Sequence, residues 1–538
     1  LNETFYCHFT QSRKGKRKDR KVISKQNLSD LCGRPLRLCV KKNLTMQSLL
    51  TLLLFLSFIH SSFSQAQDTA EKLMKSHKKY KEKSLTNRRF KHNDIQPLIA
   101  KRTAIKSYEV SKVGESFENR SITMIKVGKG PHKIMALSQM HGDEPTATMA
   151  IFDIFNFLEA SGDGFDQLRK TILDSTTIYF IPMLNPDGAE RYQRRSAQGF
   201  DLNRDAVFLQ APESKILKEL QNTIKPEFGF NLHDQSPRYS AGRTQKKATI
   251  SFLATAYDYP RSINTVREKS MQMIIKMNSN LQKFIPGQVG RYSDDHEPRA
   301  FGDNFQKWGT TLILVESGGY AGDPEKQYVR QLNFMTLLTA FESIADHSYL
   351  KESKDQYADI PENGRALYDL IVRGATINKN EKSYLSDLGI NRNEVNYANA
   401  TRFYYSSRVE EFGDLSTVFG TQEINASGLT LENGKVYPTT ITSIQELKKL
   451  NSKELFKQGY TYVKVSITNS NKNTVSDFYE QPFHLLRPGK NLSPSSPELG
   501  SAGTFLLKKN NVVKYAVVNG IVYAMEKFTT TTGNGMIE

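Results

Sequence analysis

Several side chains in this 538-residue chain have the types and spacing for hydrolysis at a metal. His141 and Glu144 stand three residues apart in Met140-His141-Gly142-Asp143-Glu144-Pro145. An imidazole and a carboxylate so spaced can close on one Zn²⁺, which accepts both ligand types. Taken alone, the pair reads more readily as a loop histidine and a helix-start glutamate near the positive end of a helix dipole. His233, in His233-Asp234-Gln235, can supply a third ligand and leave the fourth position open, as a catalytic zinc requires. Glu316, in Glu316-Ser317-Gly318-Gly319, can serve as general base toward a water there. Asp201 can orient a ligating imidazole. Arg194 and Arg204 are planar cations suited to an oxyanion and to a substrate carboxylate. Gly142 and Asp143 read as turn residues.

These residues need strands that end at one edge of a sheet. The apolar run Ile134–Ser138 reads as a buried strand ahead of His141. Ala147, Ala150, Ile151, Ile154, Phe155 and Leu158 follow with helical period, predicting a helix over 146–159. Further strands are expected at 108–110, 121–127, 177–183, 228–232 and 311–315. Helices are expected at about 212–222, 261–283 and 335–348. Strands alternating with helices predict an α/β fold, a mainly parallel mixed sheet flanked by helices. Each chemistry-bearing cluster follows a strand's C-terminal end, where open α/β sheets bind ligands. Beyond about residue 364 the pattern becomes short β-prone segments rich in Asn, Gly and Thr. A C-terminal all-β sandwich is expected over 364–530, with Asn519-Gly520 as a type I′ hairpin turn.

The net charge of +18 invites a nucleic-acid reading, but the excess is uneven. Residues 1–45 hold twelve Lys and Arg against three Asp and Glu, and all three cysteines. Met46 is followed by an apolar run, Leu49–Ile59, with the length of a signal-peptide core and too short to span a bilayer as a mature helix. The expected organisation is an upstream translation artefact or disordered basic segment at 1–45, a signal peptide at 46–66 and a catalytic domain at 67–350. A chain starting at Met46 has no cysteine, so packing alone must stabilise it. That points to a secreted or periplasmic protein of a bacterial envelope with no membrane span after signal removal. The Lys-rich stretch 74–83 lacks the interleaved aromatics that base stacking needs. It reads as a solvated helix face on a surface helix or linker, and no nucleic-acid partner is expected. Arg191, Arg195, His132, His296 and His347 read as solvated or unpaired with any metal-spaced neighbour. The loop Asp294-Asp295-His296-Glu297 reads as solvated acidic surface.

His-x-x-Glu, then Asp201-Leu202-Asn203-Arg204, then His233, then Glu316 resembles the zinc carboxypeptidases of the carboxypeptidase A type, the M14 metallopeptidases. The likeness covers residues 90–345. It implies one Zn²⁺ per chain held by His141, Glu144 and His233, with Glu316 as the catalytic glutamate. It further implies Arg194 at the oxyanion, Asn203 and Arg204 on the substrate's terminal carboxylate, and Asp201 behind the first zinc histidine. Tyr292 is the nearest match to the family's tyrosine upstream of the catalytic glutamate, in a differently built loop. Asp234-Gln235 departs from the family's common continuation after the second histidine. Segments from Ala366-Leu367-Tyr368 and from Ala502-Gly503-Thr504 resemble the small β-sandwich of amidohydrolases, without that family's barrel or its His-x-His. The expected function is a secreted zinc metallocarboxypeptidase acting on a peptide or acyl-amino-acid substrate with a free carboxylate. Its side-chain pocket should have its floor within residues 236–310. The alternatives are a zinc amidase of the aspartoacylase or desuccinylase type, a peptidoglycan stem-peptide peptidase, or a non-catalytic envelope binding protein.

Overall fold

The computed structural model describes residues 69–466, 475–490, 492, 497–529 and 535. The basic segment 1–45, the Met46 start, the 46–66 signal peptide and most of the Thr-rich tail lie outside the described residues.

Eight strands build the sheet that carries the site. They are β1 (Tyr108–Glu115), β2 (Ser121–Gly128), β3 (His132–Ser138), β4 (Thr176–Ile181), β5 (Phe228–Asp234), β7 (Ile250–Leu253), β8 (Val289–Arg291) and β9 (Thr311–Ser317). A two-residue strand, β6 (Ser240–Ala241), stands apart and pairs with β10 (Asn363–Gly364). The order across the large sheet is β1-β2-β4-β3-β5-β9-β7-β8. Its centre, β4-β3-β5-β9, is parallel, while β1, β2 and β7 join antiparallel. This is the mixed, mainly parallel sheet that the alternation of elements predicts.

A central parallel strand is covered on both faces, so it must be apolar throughout. In β3, residues Ile134–Ser138 are all buried, and in β5 so are Phe228–His233. Helices supply the cover: α1 (residues 69–80), α2 (His92–Thr103), α3 (Thr146–Glu159), α4 (Asp166–Ser175), α5 (Pro186–Arg191), α6 (Pro212–Ile224), α7 (Thr265–Leu281), α8 (Phe301–Lys307) and α9 (Gln327–Ala345). Helices α3 and α9 are buried around most of their circumference, as helices without a polar face must be. Phe152, Phe155, Phe334 and Phe341 lie in one core with Phe180 and Phe230 of the sheet.

Helix α1 keeps its lysines on a solvated face, as read, but its other face joins the main core. Ala70, Leu73, Met74 and Tyr80 are buried in the main core. His77 meets Asp153 of α3 at 2.7 Å, and Asp153 also accepts from Arg330 Nε of α9 at 2.7 Å. The lysines occupy the opposite face: Lys72, Lys75, Lys78 and Lys79 lie off the i, i+3, i+4, i+7 stripe that residues 70, 73, 74 and 77 define.

The C-terminal β-rich region holds β11 (Leu367–Lys379), β12 (Lys382–Tyr397), β13 (Arg402–Gly413), β14 (Phe419–Asn425), β15 (Thr430–Glu432), β16 (Lys435–Ile441), β17 (Tyr460–Val465), β18 (His484–Leu486), β19 (Phe505–Lys509), β20 (Val512–Val518) and β21 (Ile521–Ala524). Eight of them form one sheet, β13-β12-β11-β15-β19-β20-β21 with β14 on β11; β16-β17-β18 form a second, parallel one. Asn519 and Gly520 take φ of 48° and 76° between β20 and β21, the left-handed pair a type I′ turn requires. Residues Ser64–Glu538 form one compact unit. No described helix is long and apolar enough to cross a membrane.

Candidate metal centre and its pocket

The first two candidate ligands sit where β3 gives way to α3. Gln139 turns the chain with φ 47°, and its carbonyl accepts from Asn185 N at 2.9 Å. Gly142 then passes so close to α5 that a Cβ would meet the Gly188 carbonyl carbon at 2.0 Å. Only glycine fits there. His233 and Glu316 are the penultimate residues of β5 and β9 and are register partners on these adjacent parallel strands. Their side chains therefore leave the same edge of the sheet on the same face.

Among the described residues, His141, Glu144 and His233 form the one buried group able to hold a metal ion, their ligand atoms within 4.8 Å of one another. Glu144 lies between the two rings: Oε1 is 2.8 Å from His141 Nδ1 and Oε2 is 2.7 Å from His233 Nδ1. His141 Nε2 faces Asp201 Oδ1 at 3.1 Å. His233 Nε2 is buried without a partner. Two imidazole nitrogens and one carboxylate, with a second carboxylate behind one ring, are a donor set that suits zinc. The residues fit the ion.

The electrostatics of the cluster run in opposite directions within a few ångströms. Burial pushes the Glu144 carboxyl up, but the two imidazoles outweigh it and hold it well below the usual range. Burial opposes a proton on His141, yet Glu144 and Asp201 raise that imidazole to about 9. On His233, burial wins and the ring is pushed down. The Glu316 carboxyl goes the other way from Glu144. Burial first and the Glu144 charge second push it well above its ordinary value, and Glu316 Oε2 has no partner.

Arg194 spans the same cluster. Its Nε donates to Asp201 Oδ2 at 3.1 Å and its Nη1 to Glu144 Oε1 at 3.3 Å. Asn203 accepts from Phe301 N at 3.0 Å through its side-chain oxygen, which ties the Asp201–Arg204 turn to the start of α8. Arg204 reaches Glu297 Oε2 at 3.2 Å through Nε.

A pocket of about 400 Å³ collects these groups. It is lined by all three candidate ligands, Arg194, Asn203, Arg204, Tyr292 and Glu316. Asp201 stands behind His141 rather than in the lining. Tyr292 packs edge-on to Tyr239, ring centres 5.8 Å apart. Burial, with the Glu316 charge, holds its phenol protonated far above the ordinary range. The other walls include Tyr239, Leu253, Asp295, Glu297 and Asp303, within the span expected for the side-chain pocket.

The acidic loop is only in part the solvated surface its composition suggests, with Asp295 exposed. Arg267 binds Asp294, and His296 Nδ1 is 3.1 Å from Asp303 Oδ1 with its side chain buried. Burial pushes Asp303 up to about 6. Arg191 is likewise paired, with Glu118 Oε2 at 3.1 Å, and His132 pairs with Glu227 at 2.7 Å. Sequence reasoning missed Tyr239, Glu297 and Asp303 as pocket residues. None has a partner at metal spacing, and the only signal was their place between the strand ends that carry His233 and Glu316.

Comparison with known proteins agrees with this geometry. Residues 100–274 match the zinc carboxypeptidase (Peptidase M14) family. A probable carboxypeptidase 2 of Arthroderma benhamiae is 28% identical over 152 residues, 27% of each chain. Carboxypeptidase M of Mus musculus is 27% identical over 144 residues, 22% of this chain and 32% of that one. The chain thus spans about a quarter to a third of the length of these relatives. A metallo-carboxypeptidase structure from Burkholderia cenocepacia aligns with a TM-score of 0.40 and 16% identity, covering 48% of this chain and 70% of that one. Over residues 100–274, the stretch that carries His141, Glu144 and His233, the chain is similar to the zinc carboxypeptidases.

Proposed function

We propose that the protein is a metallocarboxypeptidase that hydrolyses the last amide bond of a peptide with a free carboxylate. The observation that carries this reading is Glu316. It is a half-buried carboxylate near the end of the strand beside His233, with its Oε2 buried and unpartnered, in the same pocket as the three candidate ligands. A binding module has no use for a proton acceptor at that place.

His141, Glu144 and His233 would hold the zinc. Bound there, zinc supplies a Lewis acid that polarises a carbonyl and makes water nucleophilic near neutral pH. Glu316 Oε2 is free to take a proton from the attacking water and return it to the leaving amine. Arg194 brings a fixed cation beside the cluster for the developing oxyanion. Arg204 and Asn203 line the same pocket, where they could meet a terminal carboxylate. Asp201 keeps the His141 ring in place through Nε2. Tyr292 presents a protonated phenol to the same space. The apolar run Leu49–Ile59 supports export of the protein, which fractionation of expressing cells would read.

The deciding variant is Glu316→Gln. It should retain close to one zinc per chain, measured by metal analysis, while hydrolysis of peptides falls by a factor of about 10² or more. Full activity in that variant would overturn the mechanism.

A further inference from the structure

A second cavity, of about 520 Å³, opens from the metal pocket, with Glu144, Arg194 and Asp234 lining both. It runs toward the C-terminal β-rich region, whose β11, β12 and β13 contribute Asp369, Arg392 and Tyr405 to its wall. At the metal end the lining carries three carboxylates, Asp143, Glu144 and Asp234, against two cations, Arg194 and Lys326. At the β end it is cationic. Arg238, Lys247 and Arg392 meet there around one carboxylate, Asp369. Arg238 Nη1 is 3.2 Å from Asp369 Oδ2, and Arg392 Nη2 is 4.0 Å from Asp369 Oδ1.

Lys247 Nζ donates to the Pro237 carbonyl at 2.9 Å, and no described carboxylate lies within ion-pair distance of it. Nearby, Arg88 and Arg89 share Glu394, each at 2.6 Å. Cations therefore outnumber carboxylates at this end. Burial, together with Arg392 and Arg238, holds the Lys247 ammonium below the usual lysine range against the pull of Asp369. An anion placed among the three cations would relieve that mutual repulsion in a partly water-excluded space.

We propose that Arg238, Lys247 and Arg392 form an anion subsite of this cavity, which takes a carboxylate carried by the substrate on the amino side of the scissile bond. What the carboxylate is attached to rests on the carboxypeptidase reading; the cavity and its charge do not. Two sources share this chemistry, an acidic side chain in the peptide and a dicarboxylic acyl cap on its N-terminus.

The test uses zinc-loaded full chain and two matched pairs of probes, Glu-Ala-Arg against Gln-Ala-Arg, and N-succinyl-Ala-Arg against N-acetyl-Ala-Arg. The C-terminal arginine is chosen because Asp295, Glu297 and Asp303 line the metal pocket. The acidic member of at least one pair should show kcat/KM about fivefold or more above its neutral partner at low salt, carried by KM. The pair that shows the preference identifies the source. In Lys247→Met and in Arg392→Gln the preference should shrink toward unity while the neutral probe is cut as before. Equal kcat/KM within both pairs, or a preference that survives both substitutions, would overturn the subsite. If no probe is cut, the carboxypeptidase reading fails separately. Calorimetric binding of the same pairs to zinc-loaded Glu316→Gln protein then decides the subsite. Tighter binding of an acidic probe, lost in Glu316→Gln/Lys247→Met, upholds it, and equal binding within both pairs overturns it.

Discussion

Arg204 reaches Glu297 at 3.2 Å, with 39% of its own side chain and 30% of Glu297 exposed. The cation proposed for a substrate carboxylate thus already has a carboxylate partner, and Glu297 is further held by Arg299 at 3.0 Å. Half-exposed pairs of this kind are worth only about 0–1 kcal/mol, so a substrate carboxylate can displace Glu297 at modest cost. Removing the competitor should help. Glu297→Gln is expected to lower KM for peptides with a free C-terminus and an uncharged last side chain by roughly two- to fivefold, with kcat unchanged. A raised KM in steady-state kinetics would mean that Glu297 instead contacts the substrate directly. This pair also marks what single residues can reveal. His141, Glu144, His233 and Glu316 were legible because their types define one chemistry and each follows an apolar strand. Glu297 was not, because its role depends on where the loop folds back over Arg204, and loop geometry leaves no periodic trace. His296 is similar: it read as solvated, and its contacts with Asp303, the Ala256 carbonyl and the Tyr259 ring cover it.

Helices α3 and α9 were legible from apolar periodicity, yet periodicity alone could not foresee the charged groups they bury. Glu342 is a half-buried one. It lies in the last turns of α9, where burial and the Asp346 charge raise its carboxyl to about 7 against the opposing pull of Lys276. Between about pH 4.5 and 7 the folded protein keeps a proton that the unfolded chain has lost. Stability therefore falls as pH rises through that window, and the loss persists above it. Glu342→Gln cannot ionise. It should be more stable than the parent at pH 8 by on the order of 1–2 kcal/mol, and equal to it near pH 4. Thermal unfolding at the two pH values checks this, and a difference that does not change with pH would sink it. Helix α1 shows the converse: its solvated lysine face was legible and its buried face was not. Its lysines suggested a solvated element, but a stripe of four residues with His77 is enough to dock it on α3 and α9. Composition averages over a helix, whereas burial follows one face.

At the scale of the molecule, the change from alternating α/β elements to short β segments was legible near residue 364, but the junction between the two sheets was not. It is made by residues that read as a polar linker or as loops. Asn363 Nδ2 donates to Gln235 Oε1 at 2.9 Å, two residues beyond His233, and Gln235 in turn donates to Ala248 O and Ser251 Oγ on the sheet side. Arg238 crosses to Asp369, and Arg88 and Arg89 cross to Glu394. The two arginines are 8% and 2% exposed, Glu394 27%. Both guanidiniums also lie over the Phe403 ring, so the junction is apolar as well as charged. Glu394 is the only described carboxylate within ion-pair distance of Arg89; Arg88 keeps Glu325 at 3.8 Å. Breaking a buried pair by removing one partner leaves an uncompensated charge and costs about 3–5 kcal/mol. Partial exposure of Glu394 and the second partner of Arg88 bring the expectation for Glu394→Gln to about 2–4 kcal/mol. If the two sheets unfold together, the loss must appear in both. Calorimetry should show a single transition in the parent and a single, lower one in Glu394→Gln. The release of zinc should shift by the same number of degrees as the loss of β signal, because the strand tie through Asn363 and Gln235 runs to the metal-bearing strand. Two separated transitions, with zinc release unmoved by the substitution, would show that the β-rich region is an appendage to the metal domain.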